Sequence, residues 1–71
     1  MKLVICDTYA QYELWDRVHH PEGMAKYIME VRDLWGHRYP DVAVITGTQR
    51  RTRERVEFAH HAGLAIEYYP T

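Results

Sequence analysis

Serine is absent from this chain of 71 residues, and cysteine occurs only once. The first absence excludes a Ser-His-Asp hydrolase. The second excludes an internal disulfide and a zinc–thiolate cluster, which need several thiols. The one thiol, Cys6, ends the apolar run KLVIC, where a free cysteine behaves as a small buried hydrophobe rather than a nucleophile. No stretch approaches the roughly 20 apolar residues of a membrane span, and no signal peptide precedes the first strand. A soluble, cytoplasmic protein with no membrane contact is therefore expected. Low-complexity tracts, internal repeats and linkers are also missing. A charge excess of one sign is lacking too, with nine Lys and Arg against ten Asp and Glu. That balance, with no recognition helix of the Asn, Gln and Arg type, ranks nucleic acid last among partners.

What is present fits one small α/β domain over residues 1–71. Lys2 to Cys6 reads as a strand, short, apolar and β-branched. Thr8-x-x-Gln11 has the spacing of a capping box, in which hydroxyl and amide satisfy open N–H groups at a helix start. It predicts a helix from about Tyr9 to Val18 that buries Tyr12, Trp15 and Val18. Pro21 and Glu22 suit the first turn of a second helix. Met24, Tyr27, Ile28, Val31, Leu34 and Trp35 then recur at three-and-four spacing, an amphipathic pattern closed by Gly36. Asp41-VAVIT-Gly47 reads as the second strand. Thr48 is placed to cap a third helix with an inner stripe of Thr52, Val56, Ala59 and Gly63. AIEYY, Ala65 to Tyr69, is the last strand, closed by Pro70.

The expected architecture is thus a minimal three-stranded parallel sheet, Rossmann-like, in the order strand-helix-helix-strand-helix-strand. If each strand adds beside the one before, both crossovers lie on the same face. Yet LVIC and VAVI are apolar on both alternating sets of side chains, as in strands covered on two sides. Either the strand order places helices on both faces or a partner surface supplies the missing cover; for so short a chain the partner is favoured, most simply as a second copy of the chain. Six tyrosines and two tryptophans suit such a contact.

Ligands of open parallel sheets bind beyond the carboxyl ends of the strands. Asp7 follows the first strand, and Thr46, Gly47 and Thr48 follow the second, so they are expected to be neighbours. Asp7 could cap a helix, attack as a nucleophile or hold a metal; the threonines could hold an anion. The segment RRTRER places Arg50, Arg51, Arg53 and Arg55 at a helix start, where the backbone dipole favours acids. An anion reverses that sign, because N–H groups and guanidinium forks bind phosphate together. Arg50 with Glu54 and Arg53 with Glu57 can also pair along the helix. His19-His20 and His60-His61 do not chelate as adjacent pairs, since neighbours on a helix point about 100° apart.

Two family resemblances rest on these residues. VICDT, Val4 to Thr8, together with VAVITGTQRRTRERVEFAHHAGL, Val42 to Leu64, resembles the haloacid dehalogenase superfamily. The resemblance implies Asp7 as nucleophile, Thr46 as phosphate-binding hydroxyl and magnesium at Asp7; the family's general acid is replaced by Tyr9. A truncated, catalytically silent version is what it implies here. VAVITGTQRRTRERVEFAHHAGLAIEYYP is similar in outline to the SLOG superfamily of Rossmann-like nucleotide sensors, with Thr48 in place of that family's second glycine.

The leading expectation is a small non-enzymatic interaction or regulatory protein, of the kind bacterial viruses encode. It would bind itself as a homo-oligomer or another protein, with the arginine-rich helix as a charged contact and no cofactor. The alternative is a domain for a phosphate-bearing small molecule or nucleotide with residual phosphoryl transfer. Its residues are Asp7 (catalytic) and Thr46, Gly47, Thr48, Arg50, Arg51 and Arg53 (anion-binding), with magnesium in this case alone.

Overall fold

A computed structural model describes residues 1–19, 24–46 and 50–69, without the side chains of Arg50 and Arg51. Its elements are β1 (Lys2–Ile5), α1 (Tyr9–His19), β2 (Ala25–Ile28), a 3₁₀ turn (Val31–Leu34), β3 (Val42–Ile45), α2 (Arg50–His61) and β4 (Ala65–Tyr68). The expected positions of Pro21, Glu22, Gly47, Thr48 and Pro70 lie outside the described residues.

Four strands, not three, form one sheet in the order β2-β1-β3-β4. All three pairings are parallel. The expected helix over Met24 to Trp35 is replaced by β2 and the 3₁₀ turn. The cause lies in β1, whose residues Leu3 to Ile5 are fully buried. A buried strand needs backbone partners along both edges, and β3 supplies one. AKYI supplies the other, in register from Lys2 opposite Ala25 to Ile5 opposite Ile28. Asp33 then prevents the chain from continuing as one element. Its carboxylate accepts the N–H groups of Met29 and Glu30, at 3.1 and 2.9 Å, and starts the 3₁₀ turn there. Of the six residues in the helical pattern only Ile28 and Leu34 are buried; Met24 and Trp35 are exposed.

The new strand also overturns the expectation of a bare sheet face. A right-handed crossover packs its helix on one face or the other according to which way it steps along the sheet. The chain steps from β1 outward to β2, and later from β3 outward to β4 in the opposite direction. Accordingly α1 contributes Trp15 and Tyr12 to the face of Val4, Cys6 and Val44. On the other face α2 and the 3₁₀ turn contribute Ala59, Val56 and Leu34, packed with Leu3, Ile5, Ile28, Ala43 and Ile45. The two sets alternate along β1 and β3, which is why both strands read as apolar throughout. On the α1 side, Lys2 reaches across β3 to the Glu67 carboxylate at 3.1 Å, and the Tyr69 hydroxyl donates to the same carboxylate at 2.9 Å.

The remaining sequence signals correspond closely to the structure. The Gln11 N–H donates to Thr8 Oγ1 at 3.2 Å, and Gln11 Oε1 accepts the Thr8 and Asp7 N–H groups at 3.3 and 2.8 Å. Trp15 is buried and Tyr12 half-buried, but Val18 is exposed. Gly63 ends α2 at φ +74°, a left-handed conformation that favours glycine. Among the described residues no helix is long and apolar enough to cross a membrane.

At the amino ends of the strands, Asp41 ties two groups. Its Oδ1 lies 3.2 Å from the Met1 amino group and its Oδ2 2.9 Å from His37 Nδ1. The hydrogen bonds from His37 and then from the amino terminus hold the Asp41 carboxyl below its usual range. A carboxyl depressed in the folded state adds stability above its unfolded value, and that stability is lost as pH falls through the folded value.

Two measurements check this description. In urea denaturation Leu34→Ala should cost about 2–5 kcal/mol as a core truncation, whereas Trp35→Ala should stay within about 0.5 kcal/mol. A helix burying Trp35 would make both substitutions costly. Asp41→Asn should lower stability at pH 7, and its difference from the parent should shrink only as pH falls below the usual carboxylate range and through the depressed folded value of Asp41.

Candidate functional site

The order β2-β1-β3-β4 reverses direction between β1 and β3. The two helices pack on opposite faces, and such a reversal is the place where ligands of open parallel sheets bind. Ile5 stands opposite Ile45, and the Thr46 N–H donates to the Ile5 carbonyl at 3.0 Å. Asp7 and Thr46 therefore follow neighbouring strand ends, as their sequence positions imply. Thr46 is buried. Thr8, not Asp7, supplies the capping hydroxyl of α1. Asp7 Oδ1 is sealed from solvent and has no hydrogen-bond partner, an arrangement that costs on the order of 1–3 kcal/mol or more for a charged group.

The arginines separate into different roles. Arg53 is exposed, with its Nε 3.4 Å from Glu57 Oε1, the helical pairing expected from their spacing. Arg50 and Arg51 occupy the first two positions of α2; their side chains, like Gly47 and Thr48, lie outside the described residues. Arg55 turns inward and is only 5 % exposed. Its guanidinium donates to the Ile28 carbonyl at 2.6 Å and to the Cys6 carbonyl at 3.3 Å. It thus crosses the ends of β1 and β2 and supplies donors where the sheet ladder stops. Sequence reading grouped Arg55 with the exposed cluster. The signal that identifies it is spacing, since Thr52, Arg55 and Ala59 follow one another at three and four residues and all three are buried.

Cys6 is not a reactive centre. It is fully buried and its thiol donates to the Thr8 carbonyl at 3.2 Å. Burial pushes the thiol up, against the opposing effect of the Arg55 charge, so the thiol form prevails.

Two depressions flank this end of the sheet. One, of about 270 Å³, is lined by Leu14, Trp15, Val18, His19, Thr46 and Tyr69. Trp15 is 4 % exposed, and its indole Nε1–H is buried without a partner. The Trp15, His19 and Tyr69 rings form a cluster with centroids 4.5–5.9 Å apart. The other, of about 370 Å³, is lined by Met29, Glu30, Val31, Arg32, Glu54 and Arg55. Among the described residues no group of three or more His, Cys, Asp or Glu side chains could hold a metal ion.

No family model, curated protein or solved structure matches this chain.

The inward role of Arg55 is open to a direct check. Arg55→Ala leaves the Cys6 and Ile28 carbonyls without that donor and should cost roughly 1–3 kcal/mol in urea denaturation. Arg53→Ala, which removes an exposed ion pair, should change stability by less than about 1 kcal/mol.

Proposed function

We propose that this chain is a small non-enzymatic binding domain on a Rossmann-like frame, taking a phosphate-bearing small molecule beyond the carboxyl ends of β1 and β3. The observation that carries this reading is the reversal of strand order between those strands. It brings Asp7 and Thr46 to the carboxyl ends of the two central strands. The twelve-residue α2 has no acidic side chain in its first turn, which begins Arg50-Arg51. The positive end of the helix dipole and the arginine charges add together in favour of an anion. The buried guanidinium of Arg55 lies on the other side, against the Cys6 carbonyl next to Asp7. These positive groups offset the carboxylate of Asp7.

The surroundings of Asp7 support binding without turnover as part of this proposal. One of its two carboxylate oxygens, Oδ1, is sealed from solvent, which disfavours that atom as a nucleophile. The residue two positions on, where the haloacid dehalogenase resemblance would require a general acid, is the exposed Tyr9. The resemblance to that superfamily or to SLOG sensors accordingly enters this reading as a frame for anion binding, not as a source of catalysis.

The association reading loses its original basis, because α1 and α2 cover opposite faces. One observation still favours it: Leu14 and Val18 on α1 are 60 % and 66 % exposed. A homo-oligomer or a protein partner could cover them.

Thermal denaturation in inorganic phosphate and in a nucleotide separates the two readings. A ligand at about 100 times its Kd stabilises by roughly 2.7 kcal/mol, several degrees in Tm for a domain this size. Such a shift is expected, with loss of the shift in Arg51→Ala and a constant monomer mass in sedimentation. No shift with either ligand, together with a mass that rises with concentration, would favour association.

A further inference from the structure

We infer that the groove between α1 and the carboxyl end of β3 binds a flat nitrogen heterocycle of purine size. This deepens the ligand-binding reading and rests on it. The heterocycle and the phosphate are two parts of one molecule, joined at Thr46, which follows β3 and also lines the groove.

The groove has the make-up of a site for a ring that carries hydrogen-bonding atoms on its edge. Leu14 and Val18 supply apolar wall, and the ring cluster of Trp15, His19 and Tyr69 supplies aromatic surface. At about 270 Å³ it lies just below the roughly 300–1,000 Å³ of common small-molecule pockets. That size suits one fused heterocycle better than a whole cofactor. Aromatic side chains stack on such rings through their faces.

The specific element is the Trp15 indole N–H. It is a donor only, it belongs to a side chain more than nine-tenths buried, and it has no acceptor. Leaving it unmade costs free energy in the empty protein that a ring nitrogen or ring carbonyl of the ligand recovers. A fatty chain fits the apolar wall but offers no acceptor. Thr46, which also lines the groove, carries a hydroxyl that can both donate and accept. Because the N–H is sealed, entry requires the rim to open. Leu14 and Val18 are well exposed, so they can swing aside with little loss of buried contact.

The chain has two tryptophans, and the other, Trp35, is exposed. Trp35→Phe therefore leaves Trp15 as the one indole, readable by fluorescence and by its single indole N–H resonance. Adenosine and guanosine, which carry no phosphate, are titrated into this variant, with inorganic phosphate titrated separately. The expected result is a saturable change in Trp15 fluorescence and a displaced indole N–H resonance with at least one nucleoside. Phosphate should raise Tm without displacing that resonance. Val18→Glu, at an exposed rim position, should weaken nucleoside binding at least tenfold and keep the phosphate shift.

Phosphate stabilisation without any nucleoside response overturns this inference and leaves the anion site standing. Failure of both ligands overturns both. A nucleoside response untouched by Val18→Glu places the ligand elsewhere and overturns the groove. Indole changes that follow protein concentration instead of nucleoside identify a second copy as the occupant and also overturn it.

Discussion

The pairing of β1 along both of its edges is the constraint on which the rest of the structure depends. Leu3, Val4 and Ile5 have no exposed surface, so every backbone group in the strand must find a protein partner. β3 satisfies one edge and β2 the other. Once β2 lies on the far side of β1, the first crossover steps away from the second and the helices part to opposite faces. Two core layers result, one built around Trp15 and the other around Leu34 and Ala59. The reversal that covers both faces is also where open parallel sheets bind their ligands. Fold and site are thus consequences of one pairing.

Polar groups complete this frame where the strands run out. At the carboxyl end Arg55 bridges the Cys6 carbonyl, just beyond β1, and the Ile28 carbonyl that ends β2, a task that a neutral side chain of the same length could not perform with as many donors. At the amino end Asp41 holds His37 and the Met1 amino group. Between β1 and β4, Lys2 and Tyr69 converge on Glu67 and hold its carboxyl below the usual range, with Lys2 the larger influence. In a 71-residue domain, whose whole stability is on the order of 4–10 kcal/mol, each such tie is a sizeable fraction. Against that background Asp7 Oδ1 and Trp15 Nε1 stand out as buried and unsatisfied.

Much of the frame was legible because its signals are local. KLVIC, VAVIT and AIEYY carry β-branched, apolar runs, the Thr8 and Gln11 capping box states where α1 begins, and Gly63 states where α2 ends. Residues 24–35 were misread because their three-and-four spacing is a local signal too. What decides their conformation is the unpaired edge of β1, more than twenty positions away in the sequence. The consequence was a missing strand and, through it, an apparent need for outside cover. In the site, the meeting of Asp7 and Thr46 followed from strand ends alone. Arg55 was not found, since charge clustering suggested a solvated face where the stripe with Thr52 and Ala59 indicates the interior. The unmet N–H of Trp15 depends on how the indole packs over Val4 and Val44, which no sequence pattern reports.

The most direct test is the nuclear Overhauser pattern of the backbone around β1. Cross-strand contacts between Leu3 and Lys26 and between Val4 and Tyr27, alongside those from Val4 to Val44, are the result the account predicts. Sequential helical contacts running from Met24 through Trp35, with no contact from that segment to β1, would contradict it.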